Sequence, residues 1–113
     1  MNIKIIKHIN LKENNRIEFL LLNYDYFDGN DIILKFFEED FQMKLFEKIE
    51  GLFSRIIKIR NDTDEYNLIW HEDVGNYIFS SNQDIKSINE LEERLEVIVG
   101  KLNGIVSTKI DDE

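Results

Sequence analysis

Apolar and polar residues alternate at the start of the chain. Ile3, Ile5 and Ile9 share one face with Lys7, and Lys4, Ile6 and His8 share the other. That is the pattern of a half-buried strand. Arg16 to Tyr24 is rich in β-formers and apolar on both faces around Phe19–Leu22, which suits a central strand. Asp28-Gly29 then follows Tyr26 and Phe27, and Asp-Gly between apolar runs predicts a hairpin turn. Ile32 to Phe37 would be the return strand.

The spacing of Phe41, Leu45, Ile49 and Leu52 predicts a helix. Asp40 would be its N-cap and Gly51 its C-terminal stop. Glu38, Glu39 and Asp40 would face the positive end of its dipole, with Lys48 near the other end. Arg55 to Arg60 alternates again as a strand, and Asn61 to Glu65 is a polar turn. In the next strand Tyr66, Leu68 and Trp70 fall on one face, with Asn67, Ile69 and His71 on the other. A turn at Asp73–Asn76 leads into Tyr77-Ile78-Phe79. Ser87-Ile88-Asn89-Glu90 reads as a capping box, in which Ser and Glu side chains would satisfy each other's backbone amides. The stripe Ile88, Leu91, Leu95, Ile98 and Leu102 follows, and Asn103-Gly104 is expected to end that helix.

The expected fold is therefore α+β. A mostly antiparallel sheet of about six strands, in βββα-βββα order, carries two helices packed on one face. Both halves end at a glycine, but no side-chain similarity supports a repeat. One domain over residues 1–113 is expected, with Ile110–Glu113 as a frayed tail.

Composition narrows the function. The chain has 113 residues without Cys, so disulfide scaffolds, thiol nucleophiles and cysteine metal sites are excluded. The longest apolar run, Phe19–Leu22, is far shorter than the ~20 residues of a membrane helix, and no secretory h-region opens the chain. The expectation is a cytoplasmic protein without a membrane partner. Residues 1–60 carry ten bases and ten acids, whereas residues 61–113 carry four and thirteen, so the whole net charge of -9 belongs to the second part. Such a surface disfavours direct nucleic-acid binding, which needs clustered Lys and Arg, and favours a basic protein partner.

Candidate chemistry is sparse. No glycine-rich phosphate loop and no G-x-S-x-G elbow is present. Asp62-x-Asp64-Glu65 fails as a calcium loop, since Asn67 stands at its sixth position and Asp73 at its twelfth. His71-Glu72-Asp73 is the densest polar cluster. It would suit a general base or, with His8, a partial metal site if their strands met; an ordinary strand end and turn is the competing expectation. No cofactor and no metal is expected. On the last helix Glu92, Glu93 and Glu96 point away from the apolar stripe beside Val97 and Gly100. Glu92 and Glu96 form a like-charge pair four residues apart, which costs a few tenths of a kcal/mol, roughly. Acids in the first half of a helix also complement its dipole, so a solvated face is the simpler account.

The small cysteine-free domain, the acid-rich second half, Tyr66, Trp70, His71-Glu72-Asp73 and Glu92/Glu93/Glu96 together resemble the small acidic immunity proteins of bacterial toxin systems, at the level of class. The resemblance implies a protein that binds a basic toxin, often a nuclease, and blocks its active site. Those eight residues would then form the partner-binding surface. A self-associating structural or regulatory domain is the second expectation, as monomer or homodimer. A small His/carboxylate metal-binding protein or enzyme is the third.

Overall fold

The computed structural model describes residues 2–111, with side chains described through Gly104. Its elements are β1 (Lys4–Asn10), β2 (Arg16–Leu22), α1 (Gly29–Phe41), β3 (Lys44–Glu50), β4 (Ser54–Arg60), β5 (Glu65–His71), β6 (Gly75–Ser80) and α2 (Ile85–Asp111). A 3-10 turn at Leu11–Glu13 joins β1 to β2. The fold is α+β: one six-stranded antiparallel sheet in the order β1-β2-β6-β5-β4-β3, and two helices.

The strand and helix counts agree with the sequence reading, but two central segments exchange roles and the order is ββα-ββββα. Ile32–Phe37 lies within α1, where Ile33 and Phe37 are buried and Phe41 packs beside them. Those three stand four apart, one helical face. Asp28 occupies the N-cap position, so the expected hairpin turn is a helix start. Gly29 is needed there for close approach. A Cβ would lie 2.7 Å from both the Asn76 amide nitrogen and the Tyr24 ring. Left-handed Gln42, at φ 55°, stops the helix, and the Met43 amide donates to the Phe37 carbonyl at 3.1 Å.

The segment expected to be the first helix, 41–52, instead supplies edge strand β3. Its Leu45 and Ile49 pair with Ile59 and Ile56 of β4, with a bulge between Leu45 and Glu47. Bulge and charges (Lys44, Glu47, Lys48, Glu50) blunt this edge against stray pairing. Gly51 ends no helix; its amide closes the β3–β4 turn on the Ser54 carbonyl at 2.8 Å.

Both helices contribute to one core on one face of the sheet. Phe19 and Leu21 of β2, Ile57 and Ile59 of β4, Tyr66 and Leu68 of β5, and Ile78 of β6 meet Ile33 and Phe37 of α1 and Leu91, Leu95 and Ile98 of α2. The predicted stripe of α2 is buried at every position. Its start differs from the expected capping box. The Ser87 amide donates to Asp84 Oδ1 at 2.7 Å, so Asp84 is the cap, and Glu90 turns to Arg94. Gly104 does not end α2, whose backbone continues to Asp111; of the expected tail, residues 112 and 113 lie outside the described residues.

Hydrogen bonds from Ser87 hold the Asp84 carboxyl below its ordinary range. A lowered folded-state pKa contributes stability that is present above the unfolded value and is lost as pH falls through the folded one. Asp84→Ala should therefore lower the melting temperature at neutral pH. The gap from the parent protein should close in acid. An equal gap at pH 7 and pH 2 in calorimetric melts would contradict this account of the cap.

Candidate functional site

Strand β5 carries three of the eight residues expected at a binding surface, Tyr66, Trp70 and His71, and its alternation sends them to opposite sides. Tyr66 faces the helices and is fully buried. Its ring meets Phe37 edge-on at 5.5 Å, and its hydroxyl accepts from Arg94 Nη1 at 2.8 Å. Burial pushes its pKa up to about 12, with Arg94 acting in the opposite direction. Tyr66 is thus a core residue beneath the helices rather than the exposed one the sequence suggested.

Trp70 faces the same side at the far end of β5. Its indole donates to the Asp25 carbonyl at 3.0 Å and meets the Phe27 ring edge-on at 5.0 Å. It fastens the segment leading into α1. The neighbouring Asn76 completes that fastening, its buried amide donating to the Tyr24 and Tyr26 carbonyls at 2.8 and 3.0 Å. Gly75, at φ +86°, lies where any Cβ would strike the Asp25 carboxylate.

His71 faces the other side of the sheet. Its Nδ1 accepts from the Asp73 backbone amide at 3.1 Å, so a backbone group rather than a carboxylate orients it. Glu72 and Asp73 are exposed in the β5–β6 turn. His8 stands on β1, and β2 and β6 lie between it and β5. Both imidazoles border one groove of about 420 Å³ with Glu18, Leu20 and Tyr77. Among the described residues, no three His, Asp or Glu side chains stand close enough to hold a metal ion.

Glu93 and Glu96 of α2 are exposed and Glu92 is half-buried. Arg94 ties the middle of α2 to Asp64 at 3.1 Å and to Tyr66, at the start of β5. His71 lies five residues further along that strand, about 17 Å away at the usual rise. The eight expected residues therefore form no single surface. The acids of α2 belong to the helix layer, Trp70 fastens a loop, and His71 belongs to the uncovered sheet face.

That uncovered face was not recognised in the sequence. Register pairing aligns Ile6 with Leu20, Leu20 with Tyr77, Tyr77 with Ile69, Ile69 with Ile56, and Ile56 with Ile49. An apolar row thus crosses all six strands, and among the described residues no helix lies over it. Next to it runs a polar row, in which His8 is opposite Glu18, Phe79 opposite Asn67, Asn67 opposite Lys58, and Lys58 opposite Glu47. Arg16 stacks on Phe79 at 3.7 Å and donates to Glu18 Oε2 at 2.6 Å. Asn10 also donates to Oε2, and Glu18 itself is only 4 % exposed. The Tyr77 hydroxyl makes no hydrogen bond among the described residues, and burial raises its pKa. The available signal was the second apolar set on the strands: Ile6, Leu20, Ile56 and Ile69 are too many for a wholly solvated face.

No helix among the described residues is long and apolar enough to cross a membrane. The chain matches no protein-family model, no curated protein and no solved structure.

Proposed function

We propose that this chain is a protein-binding module whose helix layer receives a basic protein, in the manner of an immunity protein that neutralises a basic toxin such as a nuclease. The observation that carries this reading is the placement of uncommitted acid. Glu38 and Glu39 of α1 and Glu93 and Glu96 of α2 are exposed and take part in no ion pair among the described residues. Their helices are joined at a seam by Lys101–Asp40 at 2.6 Å and by Arg94 over the Phe41 ring. The uncovered sheet face differs. Lys4, Arg16, Lys44, Lys58 and Arg60 there outnumber Glu18, Glu47 and Glu65. A basic partner would be steered to the helix layer and screened from it by salt.

The test is affinity capture with the parent protein and with Glu93→Lys/Glu96→Lys, followed by titration of the captured protein. A basic partner should bind the parent, and the charge reversal should weaken it by about tenfold or more at low salt, with less difference at high salt. Capture of no basic protein, or binding indifferent to both charge reversal and salt, would remove this reading.

A further inference from the structure

The uncovered sheet face has a symmetry that its charges make specific. The middle of the order β1-β2-β6-β5-β4-β3 falls between β6 and β5. A two-fold axis parallel to the strands at that point would lay β1 on β3, β2 on β4 and β6 on β5 of a second copy. The apolar row then meets itself: Ile6 over Ile49, Leu20 over Ile56, and Tyr77 over Ile69. The polar row becomes complementary. His8 falls over Glu47, and Lys58 falls over Glu18, which is itself only 4 % exposed and already held by Arg16. His71 falls over Gly75, which has no side chain to obstruct it. A two-fold axis along the apolar row instead places His8 over Lys4 and Lys58 over Ser54, matching no opposite charges.

We propose that this face is the interface of a homodimer in which two sheets stack about the strand-parallel axis. The occupant is a second copy because the acid and base positions pair only after that exchange of strands. Lys58 has little to do within its own chain, since its contact with Glu47 is 4.0 Å long. The one like-charge juxtaposition, Arg16 over Arg60, lies at the margin. There Glu18 already holds Arg16, and Arg60 lies over the Phe46 ring at 4.5 Å. Six strands at the usual spacing give a face about 24 Å wide and about 20 Å long. Two such faces remove roughly 1,000 Å² in projection, and more with their pleat, which reaches the lower range of specific interfaces. Stacked sheets pack about 10 Å apart with strands rotated by about 30°. The shallow grooves of about 420 and 570 Å³ that share Tyr77 on this face would receive the opposing side chains. Both helix layers would face outward, so the inference does not depend on the proposed basic partner.

Sedimentation over a concentration series tests it. The parent protein should dimerise, and Lys58→Glu should raise the dimer dissociation constant by about tenfold or more by setting two carboxylates face to face. Ile49→Glu, at a site already 44 % exposed, should do the same without loss of fold, checked by circular dichroism. The cysteine-free chain allows a geometric test. His8→Cys mixed with Glu47→Cys should be joined by a bis-maleimide of about 10 Å span, while His8→Cys alone should not be. A parent protein that stays monomeric at every concentration would overturn the proposal. So would a dimer that tolerates both substitutions and gives no mixed cross-link. Glu93→Lys/Glu96→Lys should leave sedimentation unchanged, which separates failure here from failure of the helix-layer reading.

Discussion

Replacing Arg94 by methionine should cost about 2–3 kcal/mol of folding stability, the range expected when hydrogen bonds to charged groups are lost from a part-buried cluster. Arg94 Nη1 donates to Asp64 and to the Tyr66 hydroxyl, and Nη2 to Glu90 at 2.9 Å. The Asp64 side chain is only 6 % exposed. Methionine can fill the space beside the Phe41 and Tyr66 rings, but it leaves that carboxylate without a cation. Removing Asp64 as well should recover part of the loss, so Arg94→Met/Asp64→Asn should be more stable than Arg94→Met. Lysine at 94 should recover less than the charge alone suggests, because one ammonium cannot reproduce the forked set of donors. Urea denaturation of the four proteins decides it. A loss below about 1 kcal/mol for Arg94→Met would mean the cluster is ordinary surface.

The same cluster has an alkaline signature. Tyr66 and Tyr24 both have pKa values raised to about 12, chiefly by burial. A raised folded-state pKa contributes stability that is present below the unfolded value of about 10 and is lost as pH rises through the folded one. Stability should therefore decline between about pH 10 and 12. Arg94 lowers the Tyr66 value, so Arg94→Met should move its titration further upward.

Legibility in the sequence followed the number of competing periods in each segment. The stripe of α2 has one period and no rival, and its core positions were readable to the residue. Strands β4 and β5 alternate cleanly and were placed within a residue. Between Ile32 and Phe37 five of six side chains are apolar, so both periods are satisfied and neither decides. Phe41, Leu45, Ile49 and Leu52 match a helical spacing by coincidence. In the fold they are a helix end, two members of an edge strand and an exposed turn residue. Asp28-Gly29 has the composition of a hairpin, yet Gly29 is required by the approach of Tyr24 and Asn76, which are not its sequence neighbours.

The candidate site was less legible for a related reason. Exposure of an aromatic cannot be read from its strand position alone: Tyr66 and Trp70 share a face, but one lies beneath two helices and the other at the sheet's end. Glu93 and Glu96 were readable because the helix beneath them was. The apolar row needs strand order, and only the order β1-β2-β6-β5-β4-β3 brings Ile6 and Ile49 onto one line.

A core-deletion series across α1 separates the two periods directly. Phe37→Ala should cost about 3–5 kcal/mol, since the ring is fully buried between Phe41 at 5.9 Å and Tyr66 at 5.5 Å and its loss opens a cavity. Ile33→Ala, one helical turn earlier and equally buried, should cost about 2–5 kcal/mol. Ile32→Ala should cost much less, because that side chain is 41 % exposed. Lys35 is the deciding position. In a strand it would share the buried face with Ile33 and Phe37, and in α1 it points to solvent. Lys35→Ala should therefore change stability by less than about 0.5 kcal/mol. If Ile33, Lys35 and Phe37 were all costly while Ile32, Leu34 and Phe36 were all tolerant, the segment would be a strand and the crossover from β2 to the far edge would have to be redrawn. A large loss confined to positions 33 and 37 establishes that α1 carries the chain across the core, leaving the opposite sheet face uncovered.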